Sequence, residues 1–110
     1  MQTAAPDLFT YRPAPAGGYF GTDIAKAAAL FDQENPRVYA LFIRFSLQAL
    51  AKGYRKFAAA AIFERIRWEI AIETTEVDFK LNNNHKAYFA RKAMLDYPQL
   101  KGFFETRGSD

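Results

Sequence analysis

The feature of this sequence that most restricts its fold is a stripe of apolar residues at helical spacing near its middle. The stripe consists of Val38, Leu41, Phe42, Phe45 and Ala49. Asn35 and Pro36 are residues favoured at a helix start, and Gly53 can end the helix in the left-handed conformation. Residues 36–52 are therefore predicted to form a helix of about four to five turns that is largely buried.

A second long helix is predicted over residues 58–72, because apolar residues occupy two of its sides. One side carries Ala59, Ile62, Phe63, Ile66 and Ile70, and the opposite side carries Ala61, Trp68 and Ile72. A helix that is apolar on both sides packs against two neighbours. We therefore expect this helix at the centre of the fold, with Trp68 in a core that also contains Phe42, Phe45 and Phe63.

Two shorter helices flank this pair. Thr22 or Asp23 can cap an alanine-rich helix over residues 24–33. Turn-forming asparagines precede a final helix over residues 85–97, which Pro98 stops. Its inner side carries Ala87, Ala90, Arg91, Met94 and Leu95, and its outer side carries His85, Phe89, Lys92 and Asp96. On the inner side Arg91 needs a carboxylate partner, which we expect to be Glu69 or Glu73.

The ends of the chain and one internal segment depart from the helical pattern. Residues 76–82 alternate apolar and polar side chains like a half-buried strand, and residues 54–57 and 102–107 are its predicted partners in a small ribbon. Residues 1–21 are rich in Pro and Gly and predict an irregular arm that docks through its aromatic side chains. Residues 22–110 are predicted to form one helical domain.

The predicted fold class is mainly α, a compact bundle of three to four helices with a small β ribbon. The order of its elements also fits a divergent winged helix-turn-helix. One feature opposes that arrangement, because about ten residues separate Ile72 from Asn83 whereas the usual turn has three or four.

Composition excludes several kinds of protein. The 110 residues are 50% hydrophobic and contain no Cys, so the chain can bury a core but has no disulfide, thiolate metal site or Cys nucleophile. Cysteine-free chains suit a reducing compartment, and we expect the cytoplasm. No leader or membrane-spanning run is visible, so no membrane partner is expected.

Basic and acidic residues alternate in blocks along the chain, and residues 37–67 carry seven Lys or Arg against one acidic residue. This distribution suggests a nucleic-acid partner. The chain is predicted to contact DNA through a basic face and the outer side of the last helix, where Asn can read adenine and Lys can neutralise phosphate. The candidate residues are Arg55, Lys56, Lys80, Asn83, Asn84, His85, Lys86 and Lys92. The simpler alternative is that the asparagines only cap a helix and the lysines only contact solvent.

The sequence also bears on two other functions, protein interaction and catalysis. Phe89 is predicted to be exposed, so the alternative function is a protein-interaction module that binds a host protein or a second copy of the chain. Catalysis is disfavoured: His85 is the only histidine, and Glu69, Glu73, Glu76 and Asp78 have a generic spacing for a magnesium-dependent nuclease. No phosphate-binding loop or metal motif is present, and no cofactor is predicted.

Residues 62–107 resemble a recurring pattern in small proteins encoded by bacteriophages and prophages. The residues that carry the resemblance are Ile66, Arg67, Trp68, Phe79, Lys80, Asn82, Asn83, Tyr88, Ala90, Arg91, Pro98, Gly102, Phe103, Phe104 and Arg107. The resemblance implies a bacterial host cytoplasm and an activity directed at DNA or at a host protein. It implies no catalytic residue.

Overall fold

The computed structural model of the protein describes residues 19–74 and 79–106. Within these ranges it is a mainly α bundle, as predicted. Its helices are α1 (Asp23–Glu34), α2 (Pro36–Ala51), α3 (Ala59–Glu73) and α4 (Lys86–Asp96). Short 3-10 turns lie at Tyr19–Gly21, Asn83–His85 and Pro98–Leu100.

The helix ends follow local chemistry closely. The Thr22 hydroxyl accepts a hydrogen bond from the Ala25 amide at 3.1 Å, which caps α1. Pro36 begins α2, and Gly53 follows its end with a φ of 105°. Asn35 differs from expectation, because its side chain donates to the Phe31 carbonyl at 3.0 Å and so closes α1 without capping α2.

The core is a cluster of aromatic rings around α4. Phe42, Phe63 and Phe89 are fully buried, and their ring centroids lie 5.7–5.9 Å apart. The C-terminal segment returns to this cluster as predicted, because Phe103 and Phe104 are buried and Phe104 lies 5.3 Å from Phe42. Helices α2 and α4 each contact the other three helices, and α4 is the more completely covered of the two.

The predicted burial of Trp68 and the predicted exposure of Phe89 are both wrong. Trp68 is 64% exposed and Ile72 is 63% exposed, because α3 packs on α2 and α4 through one side only. That side carries Ile62, Phe63, Ile66 and Ile70. Phe89, which was expected on the surface, is 0% exposed, because α1 covers the side of α4 that was predicted to face outward.

The predicted ribbon is not seen in the described part of the chain. Residues 54–57, 79–82 and 102–106 contain no strand, and a single backbone hydrogen bond joins the Phe57 amide to the Phe103 carbonyl at 3.0 Å. Residues 76–78 and 107 of the predicted strands lie outside the described residues. Without a wing here, the winged helix-turn-helix is not shown.

The start of the described chain packs on the bundle. Phe20 makes an edge contact with Tyr88 at 5.9 Å, and Tyr19 covers Arg91. The rest of the predicted arm, residues 1–18, lies outside the described residues. Among the helices that the structure describes, none has the length and apolar character needed to cross a bilayer.

Candidate anion-binding cleft

A cleft of about 760 Å³ opens where the first turns of α3 and α4 meet. Its floor consists of small apolar side chains, Ala58, Ala59, Ala60, Ala87 and Ala90. Its polar walls are formed by Lys56, Asn83, Asn84, Lys86, Arg91 and Glu105. Among the lining residues that the structure describes, three side chains are cationic and one is a carboxylate.

The first turn of α3 presents backbone donors to this cleft. The first N–H groups of a helix have no intrahelical acceptor, and a side-chain cap usually satisfies one of them. Ala58 occupies the cap position of α3 and makes no side-chain hydrogen bond. The amides of Ala59 and Ala60 therefore begin an uncapped helix at a cleft lined with cations, where the helix dipole also favours an anion.

Arg67 holds the opposite wall in place. Its guanidinium donates to the Leu81 carbonyl and to the Asn83 side-chain oxygen, each at 2.6 Å, and it also pairs with Glu64. The Asn82 side chain accepts a hydrogen bond from the Asn84 amide at 2.8 Å and caps the 3-10 turn. These contacts fix Asn83 and Asn84 at the cleft.

Arg91 lies deepest among the cations and is only 6% exposed. Its guanidinium carbon lies 4.0 Å from the centre of the Tyr19 ring, an arrangement that stabilises a buried cation. Burial of Arg91 was predicted correctly, but no contact with Glu69 or Glu73 is seen; Glu69 pairs with Arg65 at 3.5 Å. The Tyr19 hydroxyl is buried and has no hydrogen-bond partner among the described residues.

The structure brings together four of the eight residues predicted to bind nucleic acid. Lys56 comes from the loop before α3, whereas Asn83, Asn84 and Lys86 come from the turn that leads into α4, yet all four line the cleft. Lys56 is held by the Gly102 carbonyl at 3.3 Å. Arg55 and Lys80 are exposed and lie outside the cleft.

Two of the predicted contact residues are instead buried. His85 is 9% exposed and its ring lies 5.4 Å from that of Phe31, so α1 covers it. Burial lowers the pKa of His85, which favours the neutral ring and removes it as a source of positive charge. Phe89 lies in the core and cannot serve as an interface anchor.

Lys92 belongs to a different polar cluster between α1, α2 and α4. Its ammonium pairs with Asp32, which also accepts a hydrogen bond from the Tyr88 hydroxyl at 3.3 Å. The ammonium lies 4.1 Å from the centre of the Tyr39 ring, and the Tyr39 hydroxyl donates to Asp96 at 2.7 Å. These contacts join three helices, so Lys92 is engaged in the fold.

Sequence reasoning missed the contribution of Arg91 and of the α3 amides to the site. The helical pattern placed Arg91 on the inner side of its helix, which suggested a buried ion pair. A signal for the amides was present in the run of alanines at 58–61, since a helix start without Ser, Thr, Asp or Asn has no side-chain acceptor.

The acidic residues with a spacing generic for magnesium ligands do not form a metal site in the part of the chain that is described. No group of three or more candidate ligand side chains is found there. A hydrogen bond between the two carboxyl groups raises the pKa of Glu73 and lowers that of Glu69. Glu76 and Asp78 lie outside the described residues.

The chain matches no protein-family model, and no curated protein or solved structure is significantly similar to it.

Proposed function

We propose that the protein is a non-enzymatic nucleic-acid-binding module that holds phosphate groups in the cleft between α3 and α4. One observation carries this proposal. Lys56, Asn83, Asn84 and Lys86, singled out for phosphate or base contacts, come from separate segments and line the same cleft as the buried Arg91.

The chemistry of the cleft suits a phosphate ligand. Lys56 and Lys86 offer ammonium groups, and the uncapped start of α3 offers backbone amides. These are the donors that contact phosphate oxygens in nucleic-acid complexes. The asparagine amides on the wall are suited to a base or sugar next to that phosphate.

The proposed binding mode differs from that of a recognition helix. Of the residues in α4, all of which the structure describes, only Leu95 is exposed. A recognition helix must place several side chains in a DNA groove, and α4 has no such surface. Binding through a concave cleft is therefore the mode that the proposal adopts.

The alternative of a protein-interaction module loses its predicted anchor, because Phe89 is buried. The phage-type setting in a bacterial cytoplasm stays a prediction from the resemblance. The burial of Phe89 and the phage resemblance are both independent of the proposed cleft.

The test is a salt titration of binding to fluorescent single-stranded and duplex DNA, followed by anisotropy. Affinity should fall steeply with salt, because released counterions drive phosphate contacts. The double variant Lys56→Ala/Lys86→Ala should flatten the single-strand slope by about 1.4, since each lost contact removes about 0.7.

The matched control is Lys26→Ala/Lys52→Ala, which makes the same change in charge at exposed positions outside the cleft. It should leave the slope near that of the unchanged protein. Absence of binding at low salt, or an equal effect of the two double variants, would contradict the proposal.

A further inference from the structure

The exposed side of α3 carries a row of residues that the described chain leaves uncovered. Trp68 is 64% exposed, and Ile72, one turn further along, is 63% exposed. Ala61 and Arg65, both exposed, continue the row towards the start of α3 at a spacing of three to four residues. We call this row of four residues the α3 seam. Large apolar side chains that are exposed next to each other, unlike single ones, are typical of a contact surface.

The sizes of its side chains make the α3 seam complementary to itself when a second copy lies antiparallel to the first. The row runs from a small residue, Ala61, to a large one, Ile72. Reversal about the midpoint of the row places Ile72 of each copy opposite Ala61 of the other, so the two helices can approach closely along the whole seam. The same reversal places Trp68 of each copy opposite Arg65 of the other.

Arg65 is suited to a contact with the Trp68 ring of a second copy. Its guanidinium carbon lies 4.5 Å from the centre of the Phe45 ring, and its side chain is still 52% exposed. A planar guanidinium stacks on aromatic rings, and the indole of tryptophan is the ring that attracts a cation most strongly. The antiparallel arrangement therefore places the most exposed ring of α3 against an accessible guanidinium.

Charge favours the antiparallel orientation over the parallel one. In a parallel pair Arg65 would lie opposite its own copy, and Glu64 of one chain would lie near Glu69 of the other, so like charges would meet. Arg65 and Glu69 lie on one edge of the seam, where they pair within the helix at 3.5 Å. In the antiparallel pair that edge meets its own copy in reverse, so Arg65 of each chain comes near Glu69 of the other. Opposite charges therefore meet in both symmetry-related halves.

We infer that the protein forms a two-fold symmetric dimer in which the α3 seams of two copies pack antiparallel, with Trp68 of each copy near the centre of the interface. The seam is about three turns long, so the interface is small and the dimer dissociates on dilution. None of the four seam residues lines the cleft between α3 and α4. The dimer therefore leaves the cleft residues outside the interface, and the inference is independent of the proposed function.

Sedimentation equilibrium of the full chain from about 1 µM to about 1 mM tests the association, and the mass should rise from monomer to dimer. Trp68→Asp should raise the dissociation constant at least about tenfold, because it replaces the central ring with a charge. The matched control is Ile24→Asp, since Ile24 is 51% exposed on α1 and should leave the constant unchanged. Iodide should quench Trp68 fluorescence strongly in dilute protein and less in concentrated protein. A monomer at every concentration, or equal weakening by both variants, would overturn the inference.

Introduced cysteines test the orientation, because the chain has no cysteine of its own. At a concentration that gives dimer, a mixture of tagged Ala61→Cys and untagged Ile72→Cys should be joined by a short bismaleimide. Each protein alone should be joined little, since position 61 of one copy lies about 16 Å along the helix axis from position 61 of the other, beyond the reach of the linker. Crosslinking that is stronger within each single variant than in the mixture, or none in the mixture, would overturn the antiparallel dimer.

Discussion

Helices α3 and α4 both begin at the cleft, but they differ in how much of their surface the fold covers. Helix α3 buries one side, and more than half of its residues are exposed, including Trp68 and Ile72. Helix α4 contacts the other three helices and exposes only Leu95. The apolar pattern predicted α3 at the centre of the fold and an outward-facing side on α4.

The difference shows that the polarity of a helix side does not decide whether it is buried. The side of α4 with His85, Lys92 and Asp96 reads as a solvent-facing surface, yet α1 and α2 cover it. Its polar groups are tolerated there because Lys92 pairs with Asp32 and Asp96 accepts a hydrogen bond from Tyr39. On α3 nothing in the described chain covers Trp68.

The largest effect is expected at Phe89, the central ring of the core. Its ring neighbours are Phe31, Tyr39, Phe42, Phe63 and Tyr88, with centroids 5.4–6.4 Å away. Phe89→Ala should lower the free energy of unfolding by about 3–5 kcal/mol, because it leaves a cavity at a fully buried site. Urea denaturation measures the loss. Leu95→Ala on the same helix should change the free energy of unfolding by only about 0.5 kcal/mol. A similar loss in both variants would contradict the placement of Phe89 in the core.

An intermediate effect is expected for the covered polar side of α4. Tyr39→Phe removes the donor to the Asp96 carboxylate, which is 9% exposed, and should cost about 1.5–3 kcal/mol of unfolding free energy. The control is Tyr54→Phe, since Tyr54 is 53% exposed and should contribute little. If the two variants unfold at the same urea concentration, this side of α4 is not held by the hydrogen bond.

The smallest effect is expected at Trp68. Trp68→Ala should change the free energy of unfolding by about 0.5 kcal/mol or less, because the side chain is largely exposed. Trp68 is the only tryptophan in the chain, so quenching of its fluorescence by iodide reports its exposure directly. Weak quenching together with a loss of about 3–5 kcal/mol would place the ring in the core and remove the contrast between α3 and α4.

Local signals predicted the elements well. Thr22, Pro36, Gly53 and Pro98 mark helix ends within one or two residues of those observed, because caps and proline act on the adjacent turn. The predicted burial of Phe42, Phe45, Phe63 and Arg91 is confirmed. The strand over residues 76–82 was not supported in its described part, since alternation of side chains does not supply a partner strand.

The candidate cleft was predicted only in pieces. Lys56, Asn83, Asn84 and Lys86 were selected by residue type, but their common location depends on how α3 and α4 pack. The packing of α3 against α4 also brings Arg91 and the first amides of α3 to the cleft. Spacing along the chain could not have joined residue 56 to residues 83–86.

The sequence by itself determined where the helices of the described chain lie, most of their ends and the aromatic character of the core, because these depend on caps and on periodicity within one segment. Tertiary structure decided which helix is most completely covered, which side of α4 is buried and which cations share a cleft. Those outcomes depend on contacts between distant segments. An amphipathic pattern indicates that one side of a helix can be buried, and only the packing of neighbouring helices decides whether that side is buried.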